Sequence, residues 1–333
     1  MLILQYILLA IITIVATNKA SFFINELDKK TALSSALLGG VLLAIVTSLP
    51  EFITSLTSTI VLNNPTLAFG NVFGSNLFNL LILGSIDLIF INHLFFKQCK
   101  TGVKTSGFII GLYLVFLLPI VLSLTTSFNL SSFAINTGIN ISFISLIVLV
   151  VYAISIKRMQ DDIIEEKLSQ TSPYTLKHIL TAFIGFGILV VISAYFITIV
   201  TDQIASDYAI NASFAGAIFL GVATSLPELT AVITLIKLKN YDVALGNILG
   251  SNIFNMLIIS SVDFVYFKEN IFVELLQNPT LSKNILLLLI LGLINSIIVL
   301  VALLRKTPKS KGLYIIPSIF IIVTYMIYIG LSI

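Results

Sequence analysis

The stretch VTSLPEF, Val46 to Phe52, places a proline and a glutamate inside an apolar run that extends from Ala36 to Leu62. The stretch ATSLPEL, Ala223 to Leu229, repeats this interruption inside a second apolar run. A carboxylate at the centre of a membrane helix costs about 2.5–3.5 kcal/mol on insertion scales. Two such costs at matching positions predict a functional role for Glu51 and Glu228.

Composition indicates an integral membrane protein. The 333 residues are 58% hydrophobic and 10% charged, with a mean hydropathy of +1.10, whereas a soluble domain carries about 25% charged residues. One cysteine and two histidines exclude a disulfide framework and a cysteine- or histidine-rich metal site. With no P-loop and no basic patch, we expect the lipid bilayer as partner, no nucleic acid, no obligatory protein partner, no cofactor and no enzymatic activity.

Ten apolar runs of about 20 residues predict ten membrane helices, numbered here as spans 1 to 10. The first run, MLILQYILLA, has no basic residues before it, so it is interpreted as a retained helix and not as a cleaved signal peptide. The predicted spans are 2–18, 34–61, 66–91, 105–124, 134–156, 179–200, 210–236, 243–265, 282–304 and 313–332.

Basic residues predict the orientation of these spans. Sixteen of the 18 lysines and arginines lie in the loops that join spans 1–2, 3–4, 5–6, 7–8 and 9–10, and only Lys268 and Lys283 lie on the opposite side. Cytoplasmic loops carry the excess of positive charge. We therefore expect a multi-pass protein of the cytoplasmic membrane with both termini outside and the loop 157–178 inside.

Two motifs recur in the same order in the two halves of the chain. TSLPE occurs at Thr47–Glu51 and at Thr224–Glu228, while GNVFGSNLFN, Gly70 to Asn79, returns as GNILGSNIFN, Gly246 to Asn255. Each half holds five spans, so the second half enters the membrane inverted, as in many secondary transporters. The predicted fold is an all-α polytopic membrane protein whose ten transmembrane helices form two inverted-topology five-helix repeats. Its domains are residues 1–156, the cytoplasmic loop 157–178 and residues 179–333.

The repeated residues supply hard oxygen ligands. Pro50 and Pro227 have no backbone N–H, so each is predicted to kink or break its helix and to free carbonyl groups. Such carbonyls, carboxylates and neutral side-chain oxygens suit Ca²⁺ and Na⁺. Two carboxylates balance one divalent cation, two or more monovalent ions, or two protons, which is a physical basis for exchange. The side-chain candidates beside the glutamates are Thr47, Ser48, Ser75, Asn79, Thr224, Ser225, Ser251 and Asn255.

Glycines in the second motif predict close helix packing. Gly70 and Gly74, like Gly246 and Gly250, are four residues apart. Small residues at this spacing let membrane helices approach each other closely. Spans 3 and 8 are therefore both expected to lie in close contact with their neighbours.

Together the two motif pairs resemble the alpha repeats of the cation/calcium exchanger superfamily, in particular its prokaryotic sodium/calcium exchanger branch. The resemblance implies the sodium/calcium exchanger fold, and a Ca²⁺ site in spans 2, 3, 7 and 8 with Glu51 and Glu228 as central carboxylates. It also implies that spans 1 and 6 slide as a gate across the other eight. The Na⁺ ligands that it implies are Thr47, Ser48, Ser75, Thr224, Ser225, Ser251 and the carbonyls of Ala44 and Gly221.

Two features depart from the family pattern. Val46 and Ala223 stand where the family usually has glycine before the TS pair. Asn79 and Asn255 are neutral where many members carry aspartate, which argues against potassium coupling. The different acidic motifs typical of the superfamily's proton exchangers are absent, which favours Na⁺ as the counter-ion.

The expected function is secondary active antiport of Ca²⁺ against Na⁺ across the cytoplasmic membrane. Antiport of Ca²⁺ or another divalent cation against H⁺ is the first alternative, and a cation channel is the alternative of a different class. An exchanger requires an ion on the opposite side, whereas a channel does not. Asp87 and Asp263 match across the repeat near span ends, where a structural or interfacial role competes with a second ion site.

Overall fold

The computed structural model describes residues 1–28, 43–91, 94–130, 133–136, 140–160, 172–266, 270–277, 279–305 and 310–332. Residues 34–42 of predicted span 2 and residues 161–171 of the predicted loop lie outside the described residues.

Helices dominate the described residues, and proline and asparagine mark where several of them begin. Helix α4 starts at Pro65, and the Asn64 side chain caps it by accepting a hydrogen bond from Leu67 N at 3.2 Å. The helices are α1 Leu2–Asp28, α2 Leu43–Thr47, α3 Leu49–Leu56, α4 Pro65–Ile89, α5 Phe95–Gln98, α6 Val103–Thr125, α7 Phe143–Gln160, α8 Leu176–Asp207, α9 Ala212–Ala215, α10 Gly221–Lys237, α11 Tyr241–Val265, α12 Ile271–Gln277, α13 Pro279–Leu304 and α14 Lys311–Ser332.

Two π-helical segments and one hairpin complete the described elements. The π segments are Thr57–Val61, which follows α3, and Gly216–Leu220, which precedes α10. Strands β1, Ala134–Asn136, and β2, Asn140–Ser142, pair antiparallel, with Ile135 opposite Ile141.

Eight helices of the described residues are long and apolar enough to cross a membrane. They coincide with predicted spans 1, 3, 4, 6, 7, 8, 9 and 10, so the all-α, multi-pass fold class is confirmed. The predicted count of ten membrane helices is not confirmed exactly. Predicted span 5 is wrong at residues 134–136 and 140–142, which form β1 and β2 before α7. In predicted span 2, the described part is divided into α2, α3 and a π segment.

The lipid-facing surface is seen most clearly on α8. Ile184, Ile188, Ile192 and Phe196 recur every four residues, and each exposes 48–57% of its surface. A stripe of this length on a soluble protein would be an aggregation-prone patch, but it is the expected contact with lipid chains.

Helices α4 and α11 form the centre of the molecule. In the most apolar 18-residue stretch of each of these two helices, 72% is buried inside the protein. The corresponding share is 28–50% in the other six membrane-spanning helices. Helix α4 packs against α10, α11, α13 and α14, so it is enclosed by protein on most sides. Polar residues on α4 and α11 are therefore shielded from lipid, and these two helices carry the GNxxGSNxFN motifs.

Helices α1 and α8 form a separate pair beside this core. They pack along each other, and Thr13 Oγ1 donates a hydrogen bond to Ser193 Oγ at 2.9 Å between them. They correspond to predicted spans 1 and 6, the first span of each repeat.

Candidate ion-binding site

The two glutamates lie in a reciprocal arrangement at the meeting point of the repeats. Ser225 Oγ donates to Glu51 Oε1 at 3.0 Å, and Ser48 Oγ donates to Glu228 Oε1 at 3.2 Å. All four residues have 0% exposure. Each TSLPE motif therefore supplies a carboxylate that contacts the serine of the other motif, so the two repeats together form one site.

The remaining hydroxyl candidates surround the same carboxylates. Ser251 Oγ lies 3.3 Å from Glu228 Oε1 and 3.4 Å from Thr47 Oγ1. Ser75 Oγ donates to the carbonyl of Gly221 at 3.3 Å, which brings a side chain of α4 to the start of α10. Residues from α2, α3, α4, α10 and α11 therefore converge, as the sequence predicted for spans 2, 3, 7 and 8.

The two threonines contact backbone carbonyls of their own helices. Thr47 Oγ1 donates to Ala44 O at 3.2 Å, and Thr224 Oγ1 donates to Leu220 O at 2.8 Å. Both threonines are fully buried. The Ala44 carbonyl therefore lies beside the hydroxyl of Thr47, and the Gly221 carbonyl beside that of Ser75.

Asparagines join α4 to α11 in a second reciprocal arrangement. Asn76 Nδ2 donates to the carbonyl of Asn252 at 3.2 Å, and Asn252 Nδ2 donates to the carbonyl of Asn76 at 3.3 Å. Asn79 Nδ2 donates to Asn252 Oδ1 at 2.9 Å. Asn255 Nδ2 donates to Asn76 Oδ1 at 3.0 Å. These bonds orient the amides of Asn79 and Asn255 through their nitrogens and leave their oxygens available.

Four buried oxygens of the site have no hydrogen-bond donor among the described residues. They are Glu51 Oε2, Glu228 Oε2, Asn79 Oδ1 and Asn255 Oδ1. Unpartnered buried acceptors are rare, because each loses its hydration without compensation. Their occurrence as two repeat-related pairs, one charged and one neutral, identifies a place where a cation would supply the missing contacts.

The described residues contain no group of three or more His, Cys, Asp or Glu residues placed to hold a metal ion, at the candidate site or elsewhere. The candidate site instead combines two carboxylates with neutral oxygens. Hard cations such as Ca²⁺ accept ligand sets of this kind.

The two prolines do not have the same effect on their helices. In the first repeat the helix is interrupted at Ser48, whose φ and ψ of −92° and 11° separate α2 from α3. In the second repeat α10 continues through Pro227 without interruption. The prediction of a broken or kinked helix is therefore confirmed as a break only at Pro50, although Pro227 still cannot donate to the carbonyl of Ala223.

A network around Asn71, an asparagine expected from the sequence to satisfy freed backbone groups, supports Glu51. Asn71 Nδ2 lies within hydrogen-bond distance of Glu51 O, Thr54 Oγ1 and Ser55 Oγ, at 3.2, 2.8 and 3.0 Å. The positions of Thr54 and Ser55 in the sequence indicate part of this network, because they follow Glu51 by three and four residues and therefore share its helix face. The network attaches α3 to α4 beside the carboxylate.

The second repeat lacks this network. Ala231 and Val232 occupy the positions that correspond to Thr54 and Ser55. Neither the nitrogen nor the oxygen of the Asn247 amide has a hydrogen-bond partner among the described residues. The surroundings of Glu51 and Glu228 therefore differ, although their motifs are the same.

Close packing at the site depends on glycines of α4. A Cβ added to Gly70 would lie 2.2 Å from the carbonyl oxygen of Ser213, and one added to Gly74 would lie 2.3 Å from Ala217 Cα. The predicted close approach is confirmed for these two residues. It is not observed at Gly246, where no atom of the described residues lies within 4 Å of an added Cβ.

This fold and site agree with the comparison to known families. The model of the family described as sodium/calcium exchanger protein matches residues 1–157 and 178–333. The chain belongs to the sodium/calcium exchanger protein family. It is thereby a member of the cation/calcium exchanger superfamily, a group of transporters, as the motifs predicted.

Relatives and solved structures of this exchanger family support the assignment. A putative antiporter, CaxA, from Alkalimonas amylolytica is 29% identical over 241 residues, which are 72% of each chain. The crystal structure of the H⁺/Ca²⁺ exchanger CAX has a TM-score of 0.68 at 18% identity, covering 99% of this chain and 86% of that one. The sodium-calcium exchanger NCX_Mj has a TM-score of 0.59 at 19% identity, covering 99% of both chains. At these identities the structures establish the shared fold.

Besides its contact with α8, helix α1 of this exchanger-family protein is connected by two hydrogen bonds to α10 and the π segment before it. The Tyr6 hydroxyl donates to the carbonyl of Phe219 at 2.6 Å, within the π segment that precedes α10. Thr230 Oγ1, two residues beyond Glu228, donates to Asn18 Oδ1 at 2.7 Å. Helix α1 thus has polar attachments on either side of the site.

The two matched aspartates serve as attachments between repeats. Asp87, at the end of α4, accepts hydrogen bonds from Tyr314 and Ser318 of α14. Asp263, at the end of α11, accepts from Ser142 N and Ser145 Oγ at 2.9 and 2.7 Å, at the start of α7. Each aspartate binds a helix of the other repeat, which supports the structural role weighed against a second ion site.

Asp87→Ala is expected to destabilise this exchanger-family protein without changing ion affinity. The substitution removes two hydrogen bonds to a carboxyl group, worth about 1.5–3 kcal/mol each if that group is charged, and leaves the hydroxyl donors of Tyr314 and Ser318 without this acceptor. Thermal unfolding in detergent measures the loss, and Asp207→Ala, on an exposed part of α8, is the matched control. A loss of Ca²⁺ affinity at unchanged stability would instead identify Asp87 as a second ion site.

Proposed function

We propose that the protein is a secondary active antiporter that moves Ca²⁺ against Na⁺ by alternating access. The observation that carries the proposal is the set of four unpartnered buried oxygens of Glu51, Glu228, Asn79 and Asn255. They belong to symmetry-related positions of two inverted repeats, the arrangement in which secondary transporters bind their ions.

Charge and ligand number support Ca²⁺ as cargo. Ca²⁺ takes six to eight oxygens at about 2.3–2.6 Å. The two carboxylates supply four oxygens and the two charges that balance one divalent cation, and the amide oxygens of Asn79 and Asn255 raise the number to six. Within the described residues, the side-chain hydrogen bonds to both carboxylates come from hydroxyl groups. Among these donors no basic side chain neutralises the two carboxylates, so a bound cation would balance their charge.

The hydroxyl groups around the carboxylates support Na⁺ as the counter-ion. Na⁺ binds neutral oxygens well, and the site contains two repeat-related sets of them. One set is Thr47, Ser48, Ser251 and the carbonyl of Ala44, and the other is Thr224, Ser225, Ser75 and the carbonyl of Gly221. In each set a hydroxyl already donates to the carbonyl, Thr47 to Ala44 and Ser75 to Gly221, and a Na⁺ ion would replace that donor.

Helices α1 and α8 are the proposed moving pair. Both carry long lipid-exposed surfaces, and α1 is attached near the site by the hydrogen bonds of Tyr6 and Asn18. Lipid offers little resistance to sliding of an apolar helix surface, whereas α4 and α11 are enclosed by protein. We place the protein in the cytoplasmic membrane with both termini outside and the loop 157–178 inside, on the distribution of basic residues.

Exchange of Ca²⁺ against H⁺ is the second candidate. Two protons on Glu51 and Glu228 would neutralise the same two charges, and CAX, with its TM-score of 0.68, is an H⁺/Ca²⁺ exchanger. The hydroxyl and carbonyl sets have no role in proton binding, so they favour Na⁺.

Calcium uptake into proteoliposomes under imposed gradients tests the proposal. We expect radioactive Ca²⁺ to enter vesicles loaded with Na⁺ when the external solution is free of Na⁺, and not to enter vesicles with equal Na⁺ on both sides. A pH gradient without Na⁺ is the parallel arm. Uptake driven only by that gradient would establish the second candidate. Uptake that needs no trans ion at all would indicate a channel and overturn antiport.

A further inference from the structure

Asn247 of α11 is a buried amide outside the set of proposed ion ligands. Its side chain has 2% exposure, and neither Nδ2 nor Oδ1 has a hydrogen-bond partner among the described residues. A buried amide without partners loses its hydration without compensation, so such groups are rare in protein interiors. Hydrogen bonding within the described residues therefore does not account for an asparagine at this position.

Helix geometry places Asn247 in line with two residues of the site. Successive intervals of four residues separate Asn247, Ser251 and Asn255 on α11, so the three side chains share one helix face. Ser251 Oγ lies 3.3 Å from Glu228 Oε1, and Asn255 Oδ1 is unpartnered among the described residues. Asn247 therefore extends this row of oxygens by one turn, toward the end at which α11 begins.

The counterpart of Asn247 in the first repeat has a structural role. Asn71 Nδ2 lies 2.8–3.2 Å from the Glu51 carbonyl and from the hydroxyl groups of Thr54 and Ser55, which attaches α3 to α4. Its oxygen is unpartnered too, but the bonds of its nitrogen explain the residue. In the second repeat alanine and valine replace the two hydroxyl residues, so helix attachment does not explain Asn247.

The first turns of α11 are also less tightly packed than those of α4. A Cβ added to Gly70 would lie 2.2 Å from the carbonyl oxygen of Ser213, whereas no atom of the described residues lies within 4 Å of one added to Gly246. Gly70 is buried and Gly246 is half-buried. Open space therefore adjoins the residue next to Asn247, at a place that backbone fills in the first repeat.

We propose that Asn247 is a further Ca²⁺ ligand, on the cytoplasmic side of the site formed by Glu51 and Glu228. This role rests on the proposed function and its orientation, in which α11 begins at the cytoplasmic face. Amide oxygens are among the ligands that Ca²⁺ accepts. The ion contacts Asn247 Oδ1 while it retains part of its hydration shell, and surrounding water accepts a hydrogen bond from Nδ2.

The contact with Asn247 belongs to one side of the membrane. An ion that enters from the cytoplasm meets Asn247 one turn before Ser251 and the carboxylates, whereas an ion from outside does not pass it. Replacement of the amide by an apolar side chain is expected to raise the KM for cytoplasmic Ca²⁺ about tenfold, the effect of one lost contact between a charge and a neutral dipole. The KM for external Ca²⁺ is expected to stay unchanged.

Ca²⁺ exchange in membrane vesicles of both orientations tests this role. Everted vesicles expose the cytoplasmic face and right-side-out vesicles the external face, and the KM for Ca²⁺ is measured in each under the gradient that drives exchange in the parent protein. The variants are Asn247→Leu, which has a similar volume without the polar atoms, and Asn247→Gln, which retains an amide oxygen. Asn71→Leu is the matched control, and thermal unfolding of each purified variant measures stability.

The expected result for Asn247→Leu is a raised KM at the cytoplasmic face alone and a melting temperature at least as high as that of the parent protein. Asn247→Gln is expected to restore the KM, and Asn71→Leu to lower the melting temperature because it detaches α3 from α4.

An unchanged KM at both faces of Asn247→Leu, or an equal rise at both, would overturn the role of Asn247 as a cytoplasmic ligand. A fall in melting temperature as large as that of Asn71→Leu would make the amide structural and would overturn it as well. Absence of Ca²⁺ exchange in the parent protein under both Na⁺ and H⁺ gradients would refute the proposed function itself, so the two failures are distinguishable.

Discussion

Glu51→Gln and Glu228→Gln are each expected to lower Ca²⁺ affinity and Na⁺-driven Ca²⁺ uptake by at least about 100-fold. At an effective dielectric constant of about 20, two unit charges 4 Å apart interact by about 4 kcal/mol, and every 1.4 kcal/mol is tenfold in affinity. Glutamine retains an oxygen that can accept the hydrogen bond of Ser225 or Ser48. The loss of affinity and uptake would therefore result from removal of the negative charge and not from a change in the shape of the side chain.

Stability distinguishes this functional role from a structural one. Removal of a buried charge that lacks a basic partner eliminates a desolvation cost, so both variants are expected to be at least as heat-stable as the parent protein without Ca²⁺. Added Ca²⁺ is expected to raise the melting temperature of the parent protein by mass action and to leave both variants unchanged. Asp207→Asn, which removes an exposed carboxylate, is the control and should behave like the parent protein.

The contrary outcome is a variant that unfolds readily while Ca²⁺ still stabilises the surviving fraction. Such a result would mean that the glutamates hold the helices together and that the ion binds elsewhere. A Ca²⁺-independent fall in melting temperature of both variants would carry the same conclusion.

Gly70→Ala and Gly246→Ala are expected to have opposite outcomes, although the two glycines occupy the same position of the repeated motif. The new Cβ at residue 70 would lie 2.2 Å from the backbone oxygen of Ser213. Backbone on both sides would have to move, at a cost above the usual 1–3 kcal/mol of overpacking. The space in front of Gly246 is open among the described residues, and alanine there is expected to be neutral or slightly stabilising, because it favours the helix over glycine.

Thermal unfolding and the yield of monodisperse protein in detergent measure this difference. Gly70→Ala should lower the melting temperature sharply, and transport should fall with it because Gly70 lies on α4, the helix that carries Ser75 and Asn79. Gly107→Ala, at a second open position, is a control for the intrinsic effect of the substitution. Equal destabilisation by Gly70→Ala and Gly246→Ala would show that the repeats pack alike and would contradict the observed asymmetry.

Much of the architecture was predictable from sequence because the bilayer restricts the possible structures. Backbone polar groups cannot remain unpaired in lipid, so apolar runs predict helices, and eight of the ten predicted spans match. The pairing of strands β1 and β2 was not predictable by that rule, since Ile135 and Ile141 are as apolar as a helix residue would be. Hydropathy identifies apolar segments but does not distinguish a helix from a short pair of strands.

By itself, the sequence predicted which residues belong to the candidate site, because buried carboxylates such as Glu51 and Glu228 are too costly to be placed twice without a role. The sequence could not determine how the structures of the two repeats differ around these motifs. Only the tertiary structure decided that the helix breaks at Ser48 but continues through Pro227, and that Asn71 is bound while Asn247 has no partner among the described residues. The physical reason is that a motif specifies local chemistry, whereas strain and hydrogen-bond satisfaction depend on neighbours that were substituted separately in each repeat.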